Sequence, residues 1–338
     1  MPEWLWNGKG GKTKERSPTK LAAILGKSRR TVIREIQRGL TARRRSCDWK
    51  DIEYYSAELA QIKADENRQS HGPAEKIGSD RTLADAIADK IRKEKYSPYA
   101  VTAEFDNEGW PSLMRLRAKT TCRYIGKGIF AEAREADLPR QGKKRKKSGK
   151  PPKHGRIGAI MRSIDKRPAA ANERTESGHW ETGTVKGVKN GNTDCLFTLT
   201  DRKTRAEIIR KLPDGKAASV VAALDGIERE LGADFSSVFK SITADNGAGF
   251  SDYEALERSC LSDGKRCGLF FAHPYRSGER GTNENSNGII RRFFPKGTDF
   301  STVSEEAVAK VQSWINNYPR KILHGQPPIK IAPSRLLA

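Results

Sequence analysis

The hydrophobic pattern of the chain changes period along its length. Between Ser17 and Arg38 the apolar residues Leu21, Ile24, Leu25, Val32 and Ile36 recur at helical spacing, with a break at Gly26. Gly26 suits a tight turn and Ser28 the N-cap of a second helix, so the stretch predicts a helix-turn-helix. A further helical region runs from about Tyr54 to Ala136, where Ser97-Pro98 opens one helix and Lys119-Thr120-Thr121 precedes a shorter one. Past Arg174 the period shortens. Thr184 to Lys189 alternates, Asn190-Gly191 marks a hairpin, and Cys195 to Thr200 and Ala206 to Leu212 predict two more strands. Ala217 to Leu231 returns to helical spacing through Val220, Val221, Leu224 and Ile227. Phe239 to Thr243 predicts a short strand ending at Asp245-Asn246-Gly247, and a helix from Glu305 to Asn317 closes the pattern with Trp314 and, earlier, Trp180 as core.

Between these regions, Arg140 to Arg156 carries nine Lys or Arg residues, no acid and two prolines. Such a stretch cannot bury a core and is expected to be an extended, solvated linker. The whole chain of 338 residues has a net charge of +22 with 36% hydrophobic and 31% charged residues. That charge points to phosphate backbones, since neutralising them releases counterions. No apolar run approaches the roughly 18 residues a membrane span needs, and the start of the chain does not read as a secretory signal. Double-stranded DNA is therefore the expected partner, with no membrane and a cytoplasmic, nucleoid-associated location. The five cysteines are irregularly spaced, which argues for free thiols rather than a disulfide framework or a zinc site.

The candidate chemistry rests on two acids. Asp245 stands at a strand end before Asn-Gly. Glu284 lies in Arg280–Asp299, RGTNENSNGIIRRFFPKGTD, between Asn283 and Asn285 and ahead of Arg291 and Arg292. Hard divalent cations take carboxylates from separate elements, and a two-ion site can drive phosphoryl transfer on DNA. The arginines are placed to meet phosphate.

The Arg280–Asp299 stretch resembles the segment around the last catalytic acid of bacterial insertion-sequence transposases of the IS-thirty family, which are DDE transposases. The resemblance covers roughly residues 17–320. It implies a multidomain chain: an N-terminal all-α helix-turn-helix region, then an α/β ribonuclease-H-like domain of the integrase-core type. The boundaries expected are residues 1–50 for the helix-turn-helix, 51–138 for a second helical DNA-binding region, 139–172 for the basic linker, 173–325 for the catalytic domain and 326–338 for a tail. It implies Mg²⁺ or Mn²⁺, two ions in an intact site, held by Asp245 and Glu284, which stand 39 positions apart, slightly more than is usual in the family. The extra residues are assigned to the loop around Ser259 to Cys267. It also implies cleavage and strand transfer at terminal inverted repeats by a homo-oligomer, at least a dimer on DNA.

The sequence departs from the family at the first acid. Where members read like Trp-Glu-Gly-Asp-Thr-Val, this chain reads Trp180-Glu181-Thr182-Gly183-Thr184-Val185, so Gly183 holds the position of the missing aspartate. A second glycine, Gly249, stands where the family usually has an acid after Asp245. Glu181 shares the face of Gly183 but lies about 6.6 Å back along the strand. Asp201 is expected to pair with Arg202 or Arg205, Asp194 to be solvated and His273 to be structural. Little or no cleavage by this chain is the expectation, and a catalytically dead, sequence-specific DNA-binding protein is the alternative to a working transposase. The DNA-binding residues expected are Arg29, Arg30, Thr31 and Arg34 on the reading helix, Lys143, Lys144, Arg145, Lys146 and Lys147 on the linker, and Arg280, Arg291 and Arg292 beside the site, with Lys296 a further candidate.

Overall fold

The computed structural model describes residues 17–44, 51–70, 77–78, 80–141, 162–188, 194–274 and 276–333. It divides into two compact units, residues 1–78 and 79–338.

In the first unit, α1 (Pro18–Leu25) starts at Ser17, whose hydroxyl accepts the Lys20 N–H, and stops at Gly26 with φ of 60°. Only glycine takes that left-handed turn at no steric cost. The next helix, α2 (Arg29–Gly39), is capped by Ser28, whose hydroxyl accepts the Thr31 N–H. Leu21, Ala22, Val32 and Ile36 form the small core between α1 and α2, while Ile24, counted with them in the sequence, is exposed. The chain then forms an antiparallel ribbon, β1 (Leu40–Arg44) with β2 (Asp51–Tyr55), before α3 (Ala57–Ser70). The N-terminal region is helical, with this one short ribbon among its described residues. The boundary expected after residue 50 falls inside the ribbon, because β1 and β2 pair across it.

The second unit opens with α4 (Arg81–Arg92), α5 (Pro98–Glu108) and α6 (Ala118–Gly126), followed by α7 (Ala169–Glu173). Its sheet contains β3 (His179–Lys186), β4 (Cys195–Asp201), β5 (Glu207–Leu212), β6 (Ser241–Ala244) and β7 (Gly268–Phe271) in the order β5-β4-β3-β6-β7. The first three strands are antiparallel, and β6 and β7 run parallel to β3. With the crossover helix α8 (Ala217–Leu231) between β5 and β6, this is the ribbon-helix-strand order of a ribonuclease-H-like domain. Two short helices, α9 (Phe235–Val238) and α10 (Tyr253–Glu257), lie before and after β6, and α11 (Gly281–Ile290) and α12 (Glu305–Asn317) follow β7.

Alternation along the strands builds a core on each face. Trp180, Phe197, Leu199 and Ile208 pack with α8 on one face. Val185, Leu196 and Ile209 pack with α11 and α12 on the other. Trp180 is buried as expected, stacked on Phe239 with its indole N–H donated to the Val238 carbonyl. Helix α12 also satisfies the edge of β5: the Asn316 amide exchanges two hydrogen bonds with the Glu207 backbone, and Gln312 accepts the Ile209 N–H. A free strand edge would invite pairing with another chain.

The helices at 81–126 belong to the same unit as the sheet. Trp314, expected in the core, is half-buried against it and also joins α12 to the loop after α4, donating its N–H to the Glu94 carbonyl beside Tyr96, Phe293 and Tyr318. The Asn190-Gly191 hairpin lies outside the described residues. The Ser259–Cys267 loop is pinned rather than loose: Arg266 is buried and pairs with Asp225 and Glu228.

Candidate active site

The parallel ladder of β3 and β6 pairs Glu181 with Thr243. Gly183 and Asp245 each stand two residues past that rung, so the sheet brings the two positions level at its carboxyl edge. Asp245 Oδ1 accepts the Gly247 N–H at 2.9 Å, which shapes the turn, and the Asn246 amide ties it to the Ala272 carbonyl at 2.7 Å. Glu284 lies in the first turn of α11, exposed and without a hydrogen bond or ion pair among the described residues.

The space beside Gly183 is filled. A Cβ at this position would lie 2.5 Å from Asn283 Oδ1 and 3.3 Å from Arg280 Nη1. The buried Asn283 amide donates to Thr198 Oγ1 at 2.9 Å and accepts from Asn287 at 2.9 Å. Arg280 donates to the Thr182 carbonyl at 2.6 Å and to Asp245 Oδ2 at 2.8 Å. A guanidinium thus takes the position of a counter-ion to Asp245. The side chain of Arg280 is 12% exposed, so the structure corrects its expected place at a phosphate. Gly249 is also tight, since a Cβ there would lie 2.9 Å from the Gly215 carbonyl oxygen.

Glu181 is fully buried and committed elsewhere. One carboxylate oxygen pairs with Arg202, and the other accepts the N–H groups of Thr282 and Asn283 at 2.9 Å each. It caps α11 through two of that helix's unsatisfied donors. Arg202 does not pair with Asp201, and Arg205 donates to Thr282 Oγ1 at 2.7 Å. Asp201 instead accepts the Lys203 N–H, and burial raises its carboxyl above the usual range. Asp194, expected to be solvated, pairs with Lys211 at 3.6 Å. His273 is held between Glu279 and Asp165, and the Glu279 hydrogen bond raises its pKa.

Two more arginines differ from expectation. Arg291 donates to the carbonyls of Lys186 and Pro295. Arg292 donates to the Lys95 carbonyl and lies over the Trp314 ring. Burial lowers the pKa of each. They fasten the end of α11 to its surroundings and are not free phosphate contacts. Arg29, Arg30, Thr31 and Arg34 are exposed on the first turns of α2, though Thr31 also shares a hydrogen bond with the capping Ser28 hydroxyl. Lys296 is exposed after α11. Lys143, Lys144, Arg145, Lys146 and Lys147 lie outside the described residues.

No protein-family model matches the chain. It is 32% identical to the transposase for insertion sequence element IS4351 of Bacteroides fragilis, over 90% of this chain and 86% of that one. It is 30% identical to a probable transposase for the insertion-like element IS1161 of Streptococcus salivarius, over 91% and 86% of the two chains. The transposase InsI of IS30C from Escherichia coli is also 30% identical, over 92% and 77%. The chain belongs to the insertion-sequence transposase family. The transposase also superposes on the catalytic core of BIV integrase at 14% identity, over 46% of this chain and 93% of that one, with a TM-score of 0.34. At that score the fold rests on the transposase's own strand order.

Gly183, the position that the resemblance gives to a first acid, carries no carboxylate. Two carboxylates remain, and one is already bonded to a guanidinium. Two hard cations ask for a cluster of acids, so the residues present do not fit a pair of Mg²⁺ or Mn²⁺ ions. Asp225, Glu228 and Cys260 also approach within 4.8 Å of one another, but Arg266 pairs with both carboxylates and compensates them. Among the described residues Cys260 and Cys267 are free thiols, and burial raises the Cys267 thiol to about 12.

The sequence reading missed Glu181 as the cap of α11 and Arg280 as the partner of Asp245. Arg280 is visible as a charge next to the motif. Its direction is set only when α11 docks on β3.

Proposed function

We propose that this transposase-family chain binds duplex DNA at the terminal inverted repeats of an insertion sequence, and that as written it does not cleave them. The observation that carries the reading is the filled carboxyl edge: Gly183 supplies no ligand, Asn283 occupies the space beside it, and Arg280 neutralises Asp245. Cleavage by a family member with an intact site draws on two divalent ions, which stabilise the attacking and leaving oxygens of the phosphodiester. This chain retains Asp245 and Glu284 for such a site and lacks the third ligand.

DNA recognition is assigned to α2. Its N-terminal turns present Arg29, Arg30 and Arg34, the end of a reading helix that meets base edges in the major groove. The net charge of +22 supplies the sequence-independent attraction to phosphate. Holding two element ends together calls for a homo-oligomer, at least a dimer, and the location is the bacterial cytoplasm.

The test compares the unaltered chain with Gly183→Asp on DNA carrying the element's own ends, with Mg²⁺ or Mn²⁺. The new carboxylate needs Asn283 to swing aside, so Gly183→Asp/Asn283→Ala is assayed beside it. The unaltered chain is expected to bind the ends without nicking them, and nicking is expected to appear with the restored acid. Equal nicking by the unaltered and restored chains overturns the reading.

A further inference from the structure

On the flank of α11 turned toward β4 and β5 lies a cleft of about 460 Å³. Arg174, Arg205, Arg320 and Lys321 line it together with Thr282 and Asn285, and its lining contains no acid. The four basic residues come from three separate places in the chain: Arg174 from the end of α7, Arg205 from the turn after β4, and Arg320 and Lys321 from the segment after α12. None of them forms a salt bridge among the described residues.

Several nitrogens of the residues that line it are poorly satisfied. Arg174 Nε, Arg205 Nε, Arg320 Nε and Arg320 Nη2 are buried without a hydrogen-bond partner. An unpaired buried donor, above all a charged one, is costly and calls for an explanation. Burial, and then the neighbouring charge of Arg174, lowers the pKa of Arg205 to about 10. The backbone is also held against preference: Arg174 and Arg205 have φ of 59° and 64°. Such left-handed conformations in non-glycine residues persist where the surroundings enforce them.

Internal compensation is lacking. Glu181 is spent on Arg202 and on two N–H groups of α11. Glu207, the acid whose field reaches Arg320, is fully buried and raised to about 8 by desolvation, so it contributes little negative charge at neutral pH. The hydroxyl of Thr282 and the amide of Asn285 add polar groups at the wall. Guanidinium groups gathered around one cleft with hydroxyl and amide groups suit a tetrahedral oxyanion.

We infer that this cleft is a phosphate-binding site, and that its phosphate comes from the backbone of the DNA the chain binds. The assignment of the source rests on the proposed DNA binding, while the site itself rests on the arginine geometry alone. It lies on the opposite flank of α11 from Arg280 and Asp245, so it would hold a stretch of strand without touching the metal positions.

The experiment uses the full chain. Inorganic phosphate is titrated while thermal unfolding is followed, and a fluorescent duplex is titrated across a salt series. The variants are Lys321→Gln and Arg174→Asn, singly and together, because asparagine tolerates the left-handed backbone at 174. Arg29→Ala/Arg34→Ala on α2 is the control.

Phosphate is expected to raise the unfolding temperature of the unaltered chain and of the α2 control. The rise should be lost in the double variant, whose unfolding temperature without phosphate stays close to that of the unaltered chain. In duplex binding, the slope of log affinity against log salt should fall by about 0.9 for each phosphate contact removed. A rise that survives in the double variant overturns the site, as does no rise in the unaltered chain. Loss of the phosphate response with an unchanged salt slope overturns DNA as the source. Failure of the unaltered chain to bind any duplex, with the phosphate response intact, refutes the DNA-binding reading and leaves the site standing.

Discussion

The two flanks of α11 solve opposite electrostatic problems. Toward β6, the carboxylate of Asp245 is paired within the chain: Arg280 bonds it, and Asn283 fills the space beside Gly183. Toward β4 and β5, arginines outnumber ionised acids, and several of their buried nitrogens remain unpaired. Between the flanks, Glu181 holds the helix in place by pairing with Arg202 and capping the N-terminus. The difference teaches that an unsatisfied charge can be closed by a neighbour from the same chain or left for a ligand. Which occurs depends on whether a counter-charge comes within reach once α11 docks.

The strongest way to break this comparison is to remove the charge that balances Glu181. Arg202→Ala leaves a fully buried carboxylate without its partner, a change that typically costs about 3–5 kcal/mol. Urea unfolding measures it, and a loss below about 1 kcal/mol would mean that the Arg202–Glu181 pair contributes little to the fold.

The next test concerns the acid behind the basic flank. Glu207 is raised from 4.5 to about 8 by burial. The unfolded chain therefore gives up this proton more readily than the folded one. The associated stability is fully present below pH 4.5 and is lost progressively as the pH rises to about 8. Glu207→Gln is expected to flatten that part of the stability profile. Thermal unfolding between these limits checks it, and an unchanged slope would show that Glu207 stays ionised in the folded chain.

The smallest effect belongs to Arg280→Gln. Its partner Asp245 is 40% exposed, so solvent screens the pair, and exposed pairs contribute about 0–1 kcal/mol. Little change in the unfolding midpoint is expected. A loss of several kcal/mol would make Arg280 a structural keystone rather than a counter-ion.

Much of the fold was legible because it is local. The apolar residues of α8 and α12 repeat at helical spacing, and both helices occupy the residues that spacing predicts. Ser28 and Gly26 mark the turn between α1 and α2 by their own chemistry. The ribbon β1–β2 was not legible, since the alternation in Leu40–Arg44 and Asp51–Tyr55 lasts only about four residues in each and the two stretches are joined as strands by their pairing. β7 is four residues long and is fixed by β6 beside it. In the site, the absence of a carboxylate at Gly183 can be read directly, whereas the inward turn of Arg280, Arg291 and Arg292 cannot. A long cationic side chain next to a motif looks the same in sequence whether it meets DNA or a carbonyl of its own chain.

The sequence by itself determined the resemblance to the family, helices such as α8 and α12, and the lack of a carboxylate at Gly183, because periodicity, capping residues and residue identity are local properties. Tertiary structure alone decided what stands beside Gly183 and gathered Arg174, Arg205 and Arg320 around one cleft. Those arrangements depend on side chains far apart in the chain, and on which charges lie within hydrogen-bonding distance once the sheet and α11 have packed.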